Sequence, residues 1–183
     1  HYQYFNTIDI DGQSYFQENP DFADQFYPPS LNVGPLQNTF EQTDHGDRLR
    51  VYVLGGSAAM GFPHKNHGVD RLLAVQLNAL FPNKTVEVVN TAMTSVNSHV
   101  VYEVANTLPS NSADVAVVLM GNNEVVGPYG PGTFNQNFLS SMTGIRTLQA
   151  LKRTRLWQLF DRSLKEVKRS DAKADLEWQG MQM

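Results

Sequence analysis

Between residues 50 and 120, short apolar runs alternate with segments that have helical spacing. The runs are rich in β-branched residues and predict buried strands at Arg50–Leu54, Val86–Val89 and Val115–Met120. The intervening segments, roughly Asp70–Leu80 and Asn97–Leu108, predict helices, and a proline stops each of them. Strands and helices in this order form right-handed βαβ crossovers. The chain is therefore predicted to be an α/β protein with a parallel sheet that helices cover on both faces.

The residue pattern within these elements also predicts how they pack. The run Val115–Met120 is apolar throughout, which is typical of a strand buried on both faces of a sheet. In the first helix, the apolar positions predict one side that faces the core. That side is made of Leu72, Leu73, Val75, Leu77 and Leu80.

The regions on either side differ from this pattern. Residues 1–49 have little periodicity, several turn signals and many aromatic residues, so they predict a lead-in segment that wraps the core. One edge strand is expected near Phe5–Ile10, and the aromatic side chains are expected to act as packing anchors. Residues 50–183 are assigned to the α/β domain, within which 134–169 predict a basic amphipathic helical region, continuous or broken near Thr154. Its apolar face is expected to be core material.

Composition and charge narrow the class of protein. The net charge of −4 divides unevenly: residues 1–47 carry eight acidic residues and no Lys or Arg, whereas 146–169 carry eight of the fourteen basic residues. Such a basic stretch beside an acidic body is typical of a solvated helix face, so nucleic acid is not an expected partner. No apolar run is long enough to predict a membrane span. The absence of cysteine excludes disulfides, thiolate zinc sites and a cysteine nucleophile, but leaves the compartment open.

A Gly55-Gly56-Ser57 turn follows the first predicted strand. Glycine permits a sharp strand-to-helix corner that lifts the serine hydroxyl to the carboxyl end of the strand, where α/β sheets bind ligands. The spacing of the glycines does not match the dinucleotide-binding motif G-x-G-x-x-G. A phosphate loop is excluded because Phe62 and Pro63 stand where Lys and Ser/Thr are required. The hydrolase motif G-x-S-x-G is excluded because Ala59 stands at the second glycine. Ser57 is thus a candidate nucleophile, and this stretch alone is equally compatible with a serine that only caps the next helix.

Polar turns follow all three predicted strands. They comprise Gly56-Ser57, the stretch from Asn90 to Ser98, and Gly121-Asn122-Asn123-Glu124. Because the carboxyl ends of parallel strands meet at one edge of a sheet, these turns are expected to line a common crevice. A serine hydroxyl, a loop with free N–H groups and an asparagine amide are the parts that an acyl-transfer site requires.

In these three blocks the chain resembles the SGNH or GDSL-like serine hydrolases. Gly55-Gly56-Ser57 is similar to the nucleophile block, with Gly56 in place of the usual Asp; Val89–Ser95 is similar to the second block, with Ser95 at the position of the oxyanion glycine. Gly121–Glu124 is similar to the G-x-N-D block, with Glu124 in place of Asp. Residues 55–63 and 121–133 resemble more narrowly a bacterial branch that often carries tetratricopeptide repeats.

The resemblance implies a flavodoxin-like three-layer α/β/α domain and an esterase or acyl hydrolase. Ser57 would be the nucleophile, and the backbone N–H groups of Ser57 and Ser95, with the Asn123 amide, would be the oxyanion donors. It also implies a covalent acyl-enzyme, no metal and no cofactor. The substrate would be a small-molecule or polymer-linked ester, on a carbohydrate, a lipid or the cell envelope. An extracytoplasmic or membrane-anchored full-length protein is compatible with that substrate class.

The family's general base, a histidine in a D-x-x-H motif, has no counterpart in this sequence. The resemblance therefore implies that the chain is the N-terminal part of the domain, and that the catalytic Asp and His come from a C-terminal segment that completes it. His64 and His67 lie just past the nucleophile turn, but the resemblance assigns them no role, and as a metal pair they lack a third ligand.

Two other functions remain open from the sequence. The missing histidine and the substitutions in the three blocks are compatible with a catalytically inactive binding or scaffolding domain on the same fold. A mononucleotide-binding domain that holds phosphate at the helix after Gly56 is the second alternative.

Overall fold

A computed structural model of the chain describes residues 3–27, 34–42, 46–129, 142–152 and 154–164. The described residues belong to two compact units, one within Tyr2–Ser140 and the other within Ser141–Met183. The larger unit contains both sheets and the strand-end turns, and the smaller unit is helical.

The lead-in segment forms a small antiparallel sheet. Its strands β1 (Phe5–Ile10), β2 (Gln13–Glu18) and β3 (Thr39–Glu41) pair in that order, and a 3-10 helix, Pro20–Gln25, follows β2. The turn between β1 and β2 has positive φ at Asp11 (53°) and Gly12 (81°), the conformation that suits a two-residue hairpin. The prediction of one edge strand near Phe5–Ile10 located β1 but missed the two strands that pair with it.

The rest of the larger unit alternates strands and helices. In chain order it contains β4 (Arg48–Gly55), α1 (Ser57–Met60), α2 (Val69–Leu80), β5 (Thr85–Asn90), α3 (Ser98–Thr107) and β6 (Val115–Leu119). The three strands are parallel, in the order β5-β4-β6. The prediction of an α/β chain with a parallel sheet is confirmed, and the element bounds agree with the sequence pattern within a few residues.

The core lies on both faces of the central strand β4, because successive side chains of a strand point to opposite sides. Tyr52 and Leu54 pack with α3 and with the lead-in aromatics, whereas Val53 packs with α1 and the loop after β5. Among the lead-in aromatics, Tyr4 and Phe22 are fully buried. The expectation that these aromatic residues act as packing anchors is confirmed.

One packing prediction is wrong. Strand β6 was expected to be buried on both faces, yet Val118 is 55% exposed. It pairs with β4 on one edge, and no other described strand pairs with it. The apolar face predicted for helix α2 is covered only in part: Leu72, Val75 and Leu80 are exposed, whereas Leu73 packs against a core cluster. In both cases the described residues supply too few partners to cover the apolar surface.

The smaller unit contains α4 (Met142–Lys152) and a helical stretch over 155–164. Of the two alternatives, a continuous helix or a break near Thr154, the described residues show the break. The Thr154 hydroxyl donates to the Leu151 carbonyl at 2.7 Å and accepts from the Trp157 N–H at 3.3 Å, which starts the second stretch. The expectation that the apolar face is core material is wrong for three of its side chains, because Leu156, Phe160 and Leu164 are exposed. Positions 134–141, 153 and 165–183 lie outside the described residues. None of the described helices combines the length and hydropathy needed to cross a lipid bilayer.

Candidate functional site

The turn after β4 is shaped by a close approach of two strands. Gly55 ends β4 beside β6, and a Cβ atom there would overlap the carbonyl oxygen of Leu119 and lie 2.7 Å from the Ala59 Cβ. Glycine at this position lets the chain turn at the sheet edge, and Ser57 then begins α1. Gly56 between them is extended and precedes the helix without a side-chain cap. The turn therefore places a half-buried serine at the carboxyl end of the central strand.

A cleft lies at this end of the parallel sheet. It has a volume of about 330 Å³ including its open mouth. Its walls come from the three strand-end turns: Gly56, Ser57 and Ala58; Val96; and Leu119, Met120, Gly121, Asn122 and Asn123. Ser57 and Asn123 thus line the same cleft. Ser95 does not line it directly, whereas its neighbour Val96 does.

Hydrogen bonds hold both the side chain and the main chain of Asn123. The side-chain Nδ2 donates to the Val96 carbonyl at 3.1 Å, and the backbone carbonyl of Asn123 accepts from the Gly127 N–H at 2.7 Å. The same Nδ2 atom lies 3.5 Å from the point that a Cβ on Gly56 would occupy. Because an amide nitrogen has two hydrogens, one fixes the side chain and the second can reach a ligand in the cleft.

Ser95 occupies the left-handed region of the Ramachandran plot, with φ +60°. Glycine adopts this conformation at no steric cost, whereas a residue with a Cβ resists it. The Tyr27 hydroxyl donates to the Ser95 carbonyl at 2.7 Å, and burial raises the pKa of Tyr27 well above its ordinary value. The lead-in segment therefore helps to hold this loop, a role for Tyr27 that the sequence did not reveal.

Asn90, at the end of β5, connects the site to two helices. Its Nδ2 donates to the Ala59 carbonyl at 3.0 Å and to Asp70 Oδ1 at 2.8 Å, and its Oδ1 accepts from the Ala92 N–H at 3.0 Å. The side chain is buried, so these bonds are shielded from water. Asn90 thereby ties the second strand-end turn to α1, which carries Ser57.

A buried carboxyl group, Glu18, lies beneath the same turn. Glu18 accepts from the Asn38 N–H at 2.8 Å, from Asn38 Nδ2 at 3.1 Å and from the Tyr4 hydroxyl at 3.1 Å. Tyr4 and Asn38 also reach the carbonyls of Thr91 (3.0 Å) and Asn90 (2.9 Å). Burial raises the pKa of Glu18 to about 6, although the hydrogen bonds from Asn38 and Tyr4 oppose this effect. Sequence reasoning missed this network, because its members lie far apart along the chain.

Glu124, the acidic residue of the third turn, is engaged at the start of α3. Its carboxylate accepts from the Ser98 N–H at 3.0 Å and from the Ser98 hydroxyl at 2.6 Å. A carboxylate in this position satisfies a helix N–H that has no acceptor within the helix. Glu124 therefore anchors the loop that carries Asn123 to α3.

No general base contacts Ser57 among the described residues, and its hydroxyl has no hydrogen-bond partner there. His64 and His67 are exposed and pair with each other, with ring centroids 5.9 Å apart, while the His99 ring packs against Tyr129. Within the described ranges, no group of three or more His, Asp or Glu residues is placed to hold a metal ion.

The arrangement brings a hydroxyl and a restrained amide to one open cleft, with Ser95 one residue away from its wall. Scans against family models, curated proteins and solved structures each return no match to this chain.

Proposed function

We propose that this chain carries the nucleophile and oxyanion side of a serine esterase or acyl hydrolase. The observation that supports this most is that Ser57 and Asn123, which are distant in sequence, line one cleft at the carboxyl ends of parallel strands. The fold would be the flavodoxin-like α/β/α arrangement of the SGNH hydrolases, incomplete in this chain. A C-terminal segment outside this sequence would complete it and supply the catalytic Asp and His.

The proposed reaction has two steps. The Ser57 oxygen attacks the ester carbonyl carbon as the histidine takes the hydroxyl proton, and the carbon–oxygen bond to the alcohol breaks while that proton passes to the leaving alcohol. Water then attacks the acyl-enzyme by the same route and releases the carboxylic acid. In each step the carbonyl oxygen becomes negative and accepts hydrogen bonds from the Ser57 N–H, the Ser95 N–H and the Asn123 amide. The substrate is an ester on a small molecule or a polymer.

The local geometry supports the oxyanion role of the Ser57 N–H and of the Asn123 amide. The Ser57 N–H belongs to the first turn of α1, where no carbonyl within the helix accepts it. The hydrogen bond from Asn123 to Val96 orients the amide before any substrate arrives, which lowers the cost of reorganisation.

A second function, a catalytically inactive binding or scaffolding domain, is favoured by one observation. The hydroxyl of Ser57 has no hydrogen-bond partner among the described residues, and a serine without a base is a poor nucleophile at neutral pH. Such a domain would use the same cleft to hold a ligand without chemistry.

Labelling of the full-length protein with an alkyl fluorophosphonate separates the two functions. The hydrolase predicts an adduct on Ser57, its loss in Ser57→Ala, and a labelling rate reduced roughly 100-fold or more in Asn123→Ala. Ser95→Ala is the matched control: it removes a hydroxyl but keeps the backbone N–H, so its labelling rate is expected to stay near that of the wild type. An unlabelled Ser57 in a folded full-length protein would contradict the hydrolase and favour the binding domain.

A further inference from the structure

The cleft beside Ser57 has an apolar wall. Of the described residues that line it, Ala58, Val96, Leu119 and Met120 are apolar, and the polar ones, Ser57, Asn122 and Asn123, carry no charge. Of the apolar residues, Val96 is buried, while Leu119 and Met120 are 44% and 38% exposed. Next to the proposed oxyanion donors the cleft therefore offers surface for an apolar group, and none of the described residues that line it is ionisable.

Glu124, the acidic residue that follows Asn123 in sequence, already forms hydrogen bonds within the protein. Both oxygens of the Glu124 carboxylate accept hydrogen bonds from Ser98, with the shortest at 2.6 Å. A carboxylate engaged in this way caps α3 and is not available to pair with a cationic substrate. A charged group that entered the cleft would lose water without gaining a counter-charge from the lining, which is unfavourable.

The size of the cleft restricts the group further. Its volume of about 330 Å³ includes the open mouth. Most of that volume is open solvent, and the space that can hold ligand atoms is only about 40 Å³, far less than the roughly 300–1,000 Å³ of small-molecule pockets. It suits a group of a few carbon atoms rather than a long chain or a sugar.

We propose that the cleft lined by Ala58, Val96, Leu119 and Met120 binds a short, uncharged acyl group and sets the acyl specificity of the site. This inference rests on the proposed hydrolase function, since it assigns the acyl side of the same cleft. Met120 is the specificity residue that can be tested most directly, because it is partly exposed and takes no part in the proposed chemistry.

Ligand binding to the Ser57→Ala variant tests the proposal without catalysis. Amide NMR titrations compare methyl butyrate with monomethyl succinate, which has a similar chain but ends in a carboxylate. The neutral ester is expected to shift the amide signals of Gly56, Ala58, Val96 and Gly121 and to bind at least about tenfold more tightly than the anionic one. Equal affinity, a preference for the anionic ester or the absence of saturable shifts at these amides would overturn the proposal.

A second variant is expected to reduce or abolish the preference for the neutral ester. Adding Met120→Lys to Ser57→Ala places a cation at the cleft, so monomethyl succinate is expected to bind about tenfold more tightly than before. Leu80→Lys is the matched control, because it adds the same charge on an exposed apolar position of α2 outside the cleft lining. An unchanged ester preference with Met120→Lys, in a variant whose amide spectrum is folded, would count against the proposal.

The two proposals fail separately. Selective binding of the neutral ester together with an unlabelled Ser57 in the full-length protein would support the acyl pocket and reject the hydrolase. Labelling of Ser57 without any ester preference would support the hydrolase and reject the acyl pocket.

Discussion

Two residues near the site, Gly55 and Ser95, occupy backbone positions that favour glycine, but only one of them is glycine. Gly55 lies where any side chain would strike β6, and the chain has glycine there. Ser95 has φ +60°, a conformation that glycine would adopt more easily, yet the chain has serine. The strain at Ser95 is held by tertiary contacts, including the bond from Tyr27. Steric overlap with β6 therefore requires glycine at position 55, whereas contacts from neighbouring residues maintain the conformation of Ser95.

Replacement of Gly55 by alanine tests the steric requirement. The new methyl group would overlap the Leu119 carbonyl and press on Ala59, so β4 and β6 would have to move apart. We expect Gly55→Ala to lower the free energy of unfolding by about 3 kcal/mol, measured by urea denaturation.

The neighbouring glycine provides the control for this measurement. A Cβ on Gly56 would meet the Asn123 Nδ2 at 3.5 Å, an ordinary contact, and its backbone is extended. Gly56→Ala is therefore expected to change stability by less than about 1 kcal/mol. Equal effects of the two substitutions would show that the approach of β6 does not control this turn.

At the scale of elements, the antiparallel sheet is joined to the end of β5 through a buried carboxyl group. Glu18 ends β2, and its partners Tyr4 and Asn38 continue to the carbonyls of Thr91 and Asn90. Breaking such a buried network costs more than losing an exposed bond, because the groups that remain cannot regain water. The lead-in is therefore part of the support of the second strand-end turn.

The raised pKa of Glu18 predicts how stability depends on pH. Its pKa rises from 4.5 to about 6 on folding, so between these values the folded chain binds the proton more tightly. The stabilisation from this proton is fully present below pH 4.5 and is lost as the pH rises through about 6, an effect of about 2 kcal/mol. In Glu18→Gln the decline of unfolding free energy over this range should be smaller by that amount.

Chemical denaturation at a series of pH values measures this difference. Asp21→Asn is the control, since it removes an exposed carboxylate from the 3-10 helix that follows β2. Its pH profile is expected to follow that of the wild type. A Glu18→Gln profile parallel to the wild type would mean that Glu18 does not titrate in this window.

At the scale of the larger unit, the apolar surface is unevenly covered. Strand β6 presents Val115, Val118 and Leu119 at 44–55% exposure, and no described strand pairs with its second edge. Exposed apolar strand edges favour pairing with another chain. We therefore expect this chain to self-associate as its concentration rises.

Val118→Lys tests this expectation, because lysine on an edge strand opposes strand pairing. In sedimentation velocity, the wild-type coefficient should increase with concentration, while that of Val118→Lys should stay close to the monomer value. Gln76→Lys adds the same charge on exposed α2 and should behave as the wild type. Concentration-independent sedimentation of the wild type would contradict the role of the edge.

The α/β class, the three parallel strands and the placement of Ser57 and Asn123 at one sheet edge could all be predicted from the sequence. These follow from local information: apolar periodicity identifies strands and helices, and the geometry of a parallel sheet brings the strand ends together. The turn at Asp11-Gly12 also follows from local sequence, but the sequence pattern predicted only one of the two strands that this turn joins.

Which apolar residues are covered and which polar residues support the site depends on tertiary packing. Leu72 and Val118 match the pattern of core residues, but burial depends on what packs against them, which periodicity does not encode. Glu18 and Asn90 form contacts with residues remote in the chain, so no spacing rule identifies them. Long-range contacts depend on how the two sheets and the helices pack together. The sequence pattern therefore predicted where the site lies, but it did not predict the buried polar residues that hold the strand-end turns in place.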